Sequence, residues 1–147
     1  HASDILVRRA FGNVYEVLLE GTPAQKERWL KPAVRGERTF SVCFTEPGAG
    51  SDAAGIKTRA VRDGQGWVIN GGKTFITNGD VADLYLLFGK WAGITDAKAA
   101  ISVLVLEKDA PGLKIVRTED KLGTRASGTA HLPPVTPSNT ADDISYA

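Results

Sequence analysis

From residue 40 onward the chain breaks into short apolar runs separated by Gly, Asn, Asp and Pro turns, and this spacing constrains the fold more than anything else in the sequence. Phe40, Val42 and Phe44 alternate with Ser41 and Cys43, as a half-buried strand requires. Strand patterns follow over residues 58–62, 67–70, 74–77, 84–88, 101–106 and 113–118, and a last one over 121–130 has a glycine-rich entry. Residues 84–88 are apolar throughout, as expected of a central strand. Asp63-Gly64-Gln65-Gly66 reads as a turn, Gly71-Gly72 as a tight hairpin turn, and Asn78-Gly79 and Ala110-Pro111-Gly112 as further turns. Residues 91–97 read as a loop. The series predicts a mainly β fold, an antiparallel barrel or sandwich of about seven or eight strands.

Two α-helices precede it. Val7, Phe11, Val14 and Leu18 recur at helical spacing, with Ser3 or Asp4 as a cap and Gly21 as a stop. Thr22-Pro23-Ala24-Gln25 then forms a capping box with proline at the first helical position, where its missing N–H costs nothing. Trp29 and Leu30 lie on this second helix, which Pro32 or Gly36 bends or ends. The one boundary drawn from the pattern falls near Gly36, and residues 37–131 form the β domain. Residues 132–147, rich in Pro and polar side chains, read as an extended tail.

The 147 residues suffice for one domain with a real core. A net charge of +1, with acids and bases interleaved, gives no electrostatic reason to expect nucleic acid. No apolar run approaches the roughly 20 residues of a membrane span. The single cysteine, Cys43, cannot form an internal disulfide and suits a reducing compartment. It alternates into a strand and reads as packing rather than nucleophile. His1 and His131 have no metal-ligand spacing, and no metal site is expected. The chain opens on His1 and contains no methionine, which predicts a fragment or a processed product.

The chemistry-bearing stretch is the loop after the first strand. In Glu46-Pro47-Gly48-Ala49-Gly50-Ser51-Asp52, glycines let a ligand approach the backbone, whose N–H groups and the Ser51 hydroxyl can meet phosphate oxygens. The loop fits neither the Rossmann nor the Walker pattern. Gly-Ala-Gly alone reads better as a plain loop between two strands.

Four ordered segments carry a resemblance. Phe44-Thr45-Glu46-Pro47-Gly48-Ala49-Gly50-Ser51-Asp52, then Asn70-Gly71-Gly72-Lys73-Thr74-Phe75-Ile76-Thr77-Asn78-Gly79, then Lys121-Leu122-Gly123-Thr124-Arg125-Ala126-Ser127, preceded by Gly21-Thr22-Pro23-Ala24-Gln25-Lys26-Glu27-Arg28-Trp29-Leu30, resemble the flavin-dependent acyl-CoA dehydrogenases. The match runs through about residues 10–130. It implies FAD as cofactor, held against the strand Val42-Cys43-Phe44-Thr45. Thr45 would bond the pyrimidine edge of the flavin, Gly50 and Ser51 would lie near the pyrophosphate and the acyl-CoA arm, and Ser51 would also touch substrate. Phe75 would cover the ring beside Ile76, with the Thr77 hydroxyl toward N5. The family often carries an aromatic where this chain has Val42 and a Trp where it has Phe75.

The same resemblance implies α,β-dehydrogenation of an acyl-CoA thioester, with electrons passed to an electron-transfer flavoprotein, by a homo-oligomer in the bacterial cytoplasm or the mitochondrial matrix. Residues 1–36 would be the end of an N-terminal helical domain. The proton-abstracting glutamate would lie on a C-terminal helical domain, so no catalytic residue is expected in this chain and turnover by it alone is not expected. After Ala130 the sequence departs from the family, whose next strand alternates apolar and acidic residues. The alternative reading is a β-domain fragment without catalysis that acts as a self-associating structural or binding module.

Overall fold

The computed structural model describes residues 19–64, 66–96 and 99–133, and the backbone of 142–144. The first expected helix, at residues 7–18, lies outside the described residues. The second begins where its capping box places it. The Gln25 amide donates to the Thr22 hydroxyl (3.3 Å) and the Thr22 amide to the Gln25 side chain (2.8 Å). Helix α1 is continuous through three segments, Pro23–Gln25, a π-helical Lys26–Leu30, and Lys31–Val34. Pro32 neither ends nor breaks it. The wider π turn lies immediately before Pro32, where a missing N–H would otherwise disturb the ladder. Gly36 terminates the helix at φ 74, with its amide on Ala33 O and the Glu37 amide on Pro32 O.

The strands are β1 (Phe40–Cys43), β2 (Arg59–Asp63), β3 (Gly66–Asn70), β4 (Lys73–Thr77), β5 (Leu84–Trp91), β6 (Ile101–Glu107), β7 (Arg117–Thr118), β8 (Thr129–Leu132) and β9 (Asp142–Ile144). The fold is mainly β. A six-stranded sheet runs β3-β2-β5-β6-β9 with β1 also on β5, and a three-stranded sheet runs β4-β8-β7. Among the described residues the sheets do not close into a barrel. The expected strand at 113–118 shrinks to β7, and that at 121–130 begins only at Thr129. Trp91, expected in a loop, ends β5. Within the segment expected as a tail, β9 pairs with β6.

Two corrections concern pairing. The sheet is not purely antiparallel. β1 runs parallel to the first half of β5 (Phe40 beside Leu84), and β2 runs parallel to its second half (Arg59 beside Lys90). β1 and β2 therefore share one edge of β5 end to end, because the connection between them advances the chain without reversing it. Nor is Gly71-Gly72 a hairpin turn. β3 pairs with β2 and β4 with β8, so these glycines carry the chain from one sheet to the other.

Side chains alternate across β5. Leu84 and Leu86 join Trp29, Ala33, Phe40, Val103 and Val105 under α1. Tyr85 and Leu87 join Cys43, Leu104, Leu106, Ile76 and Leu132 between the two sheets. Both faces of the first half of β5 are covered, which is why residues 84–88 are apolar without a break.

Candidate functional site

The Gly-rich loop occupies the gap where β1 leaves β5 and β2 enters. A tight turn starts it: the Glu46 amide bonds Ala49 O (2.9 Å) and the Ala49 amide bonds Glu46 O (3.1 Å). The Glu46 side chain turns inward. Its carboxylate accepts from the Lys57 amide (2.7 Å), the Thr58 amide (3.0 Å), the Thr58 hydroxyl and the Lys73 ammonium (2.8 Å). The Lys73 side chain is 1% exposed and that of Glu46 6%. Lys73 also donates to Phe44 O at 3.0 Å. One buried ion pair thus ties the loop's entry, its exit and the start of β4.

Burial opposes ionisation of Glu46, but the bonds from Lys73, Thr58 and Lys57 outweigh it and hold its pKa at about 2, below the ordinary 4.5. Burial also works against the Lys73 ammonium and lowers its pKa. The four bonds converging on one carboxylate favour the ionised pair. Because the folded value lies below the unfolded one, Glu46 contributes its stability above about pH 4.5, and this is lost as pH falls toward 2. The expected loss is roughly 3 kcal/mol. Thermal midpoints between pH 7 and 3 should fall more steeply for the wild-type chain than for Glu46→Gln.

Strand β4 crosses the end of β1. The Thr74 amide donates to Thr45 O (2.9 Å), and the Ser41 hydroxyl donates to Thr77 O (2.7 Å). These bonds bring residues 42–45 beside 75–77, which lie far apart in sequence. Of the residues expected at the site, Cys43 and Ile76 are buried in the core and can offer only backbone. Burial pushes the Cys43 thiol up to about 12, so it remains neutral and unreactive. Val42 packs toward α1, and the Phe44 ring stands edge-on to Phe88, centroids 5.0 Å apart. Thr45 and Thr77 are half-buried, and neither hydroxyl bonds another described residue. Gly50 and Ser51 are exposed on the loop.

Phe75 is unusual. It lies within a strand at φ 57 and is 62% exposed. The register of β4 on β8 jumps between Lys73, opposite Leu132, and Ile76, opposite Ala130. Thr74 and Phe75 therefore share one opposing residue, His131, in a β-bulge that turns the ring outward. An aromatic residue in the left-handed region costs about 1–3 kcal/mol, and such strain concentrates at functional positions. A cavity of about 590 Å³, a size typical of ligand sites, opens beside the loop and is lined by Glu46, Gly48, Lys57, Thr74, Arg117 and His131 among others.

Sequence reasoning did not single out Lys73, Thr58 or His131 as part of this assembly. The bulge hides the signal for Lys73 because Lys73 and Thr74 both turn inward, which breaks the alternation. Among the described residues no cluster of three potential metal ligands occurs.

The family "Acyl-CoA dehydrogenase, middle domain" matches residues 41–133, and the chain belongs to the acyl-CoA dehydrogenase family. It is 43% identical over 112 residues to the short-chain specific acyl-CoA dehydrogenase of Clostridium acetobutylicum, covering 76% of this chain and 29% of that protein. The solved butyryl-CoA dehydrogenase of Megasphaera elsdenii superposes with a TM-score of 0.81 at 32% identity, over 90% of this chain and 35% of that one. A glutaryl-CoA dehydrogenase from Mycobacterium smegmatis, solved in complex with FADH2, has a TM-score of 0.75 at 31% identity, over 86% and 31% of the two chains. The chain spans about three tenths of the length of the curated relatives it matches.

Proposed function

We propose that this chain is the FAD- and acyl-CoA-binding middle portion of an acyl-CoA dehydrogenase. The observation that carries the reading is the crossing of β1 and β4. It sets the Thr45 and Thr77 hydroxyls, without described partners, beside a strained and exposed Phe75. FAD, when bound, supplies a two-electron acceptor for the hydride lost from the acyl β-carbon. The chain's own residues bind and orient. Phe75 gives a flat apolar cover that excludes water. Thr45 and Thr77 supply hydroxyl donors toward a ring that gains negative charge on reduction. Gly50 and Ser51 offer backbone and hydroxyl donors to the phosphate-bearing arms.

The reading assigns no proton-abstracting base to this chain. The thioester substrate, an electron-transfer flavoprotein as acceptor and a homo-oligomeric state belong to the same proposal. So does a location in the bacterial cytoplasm or the mitochondrial matrix. Among the described residues no helix is long and apolar enough to cross a membrane.

Titration of the chain with FAD, followed by flavin fluorescence and the visible spectrum, tests the reading. Phe75→Ala is expected to weaken FAD binding up to about tenfold, the worth of one aromatic contact. Its thermal midpoint should change little, since an exposed side chain is removed. Equal FAD affinity of the two chains would argue against a ring-covering role for Phe75.

A further inference from the structure

The function proposed above leaves unexplained what holds Phe75 in an unfavourable conformation on an exposed strand. His131 contacts both residues of the bulge. Its Nδ1 is 2.7 Å from the Thr74 hydroxyl, and its ring stands edge-on to Phe75, centroids 5.4 Å apart at 66°. On its far side, Nε2 bonds the Glu119 carboxylate, which also pairs with Arg117 at 2.8 Å. His131 lies directly opposite Arg117 in the β7–β8 pairing. The imidazole is thus clamped between an acid that fixes one nitrogen and a hydroxyl that engages the other.

We propose that His131 is the positioning residue of the flavin face, its ring fixing the bulge and thereby the side chain of Phe75. The proposal rests on the flavin reading of Phe75. With Nε2–H given to Glu119, the neutral ring accepts the Thr74 hydroxyl proton at Nδ1. Protonation reverses that bond: Nδ1–H then donates, and the Thr74 hydrogen must turn away. A positive ring edge then replaces a neutral one beside Phe75. Other charged groups flank this ring on both sides. The bond from His131, with the neighbouring Arg117, holds Glu119 below the usual carboxylate range, so an ionised carboxylate faces Nε2. On the β4 side Lys73 is paired to Glu46, and Lys57 lines the same cavity.

The test follows two signals in the whole chain between about pH 5 and 8. The first is the aromatic NMR resonance of Phe75, read beside the imidazole resonance of His131. The second is FAD affinity by fluorescence quenching, for wild type, His131→Ala and His131→Gln. The Phe75 resonance is expected to shift together with the His131 imidazole resonance. Wild-type FAD affinity should change about two- to tenfold over the same range, as one aromatic contact is adjusted. His131→Ala should weaken binding and abolish the pH dependence. His131→Gln, whose amide can still bond Thr74, should recover affinity to within about twofold without the pH dependence. A Phe75 resonance that ignores His131 overturns the proposal, as does unchanged affinity in His131→Ala. If wild type binds no FAD while Phe75 follows His131, the flavin reading falls and the positioning of Phe75 by His131 stands.

Discussion

Glu46→Ala is expected to destabilise the chain by about 3–5 kcal/mol, the cost of breaking a buried ion pair from one side. The change strips the Lys73 ammonium of its countercharge at 1% exposure and leaves it facing one carbonyl, Phe44 O. It also orphans the Lys57 and Thr58 amides and the Thr58 hydroxyl. A domain this size carries only about 5–15 kcal/mol in all, so the thermal midpoint should fall by roughly 10–20 °C. Lys73→Met is expected to cost less. There the carboxylate keeps three donors, and the apolar chain of methionine fills the space left by lysine. The double change Glu46→Gln with Lys73→Met should recover part of the loss, since no buried charge remains unpaired. A midpoint for Glu46→Ala within about 3 °C of wild type would show that the pair does not hold the loop.

The contrast between Thr22-Pro23-Ala24-Gln25 and Gly71-Gly72 shows what local sequence can and cannot specify here. The capping box, the glycine stop at Gly36 and the β2–β3 turn at Gly64 are decided by atoms within a few residues of one another, and each is legible. The role of Gly71-Gly72 is decided by Thr58, thirteen positions earlier, against which Gly71 packs, and no turn rule registers that contact. Parallel pairing of β1 and β2 on β5 is hidden for the same reason, since a strand pattern carries no direction. At the site, the motifs pointed to residues 42–45 and 75–77, and the crossing of β1 and β4 joins them. Which of these side chains are exposed was not legible. The bulge at Thr74 and Phe75 resets the alternation, turning Phe75 outward and keeping Lys73 and Ile76 buried.

Gly71→Ala is expected to destabilise by about 3 kcal/mol, the upper range for overpacking. A Cβ there would lie 2.2 Å from the Thr58 hydroxyl oxygen and 2.6 Å from the Thr58 Cα. Thr58 cannot retreat easily. Its amide donates to Glu46 at 3.0 Å, and its carbonyl accepts from the Lys90 amide at 2.8 Å. Relief must come from β4 moving away, which carries Thr74 and Phe75 off the end of β1, so FAD affinity should fall together with stability. Urea denaturation measures the first and flavin fluorescence the second. The cost should also depend on Glu46. In the Glu46→Ala background Thr58 loses its anchor and can give way, so the combined loss should fall short of the sum of the two separate losses by about 0.5–3 kcal/mol. Additivity within about 0.5 kcal/mol would mean that Glu46 and Gly71 act on the loop independently rather than through Thr58.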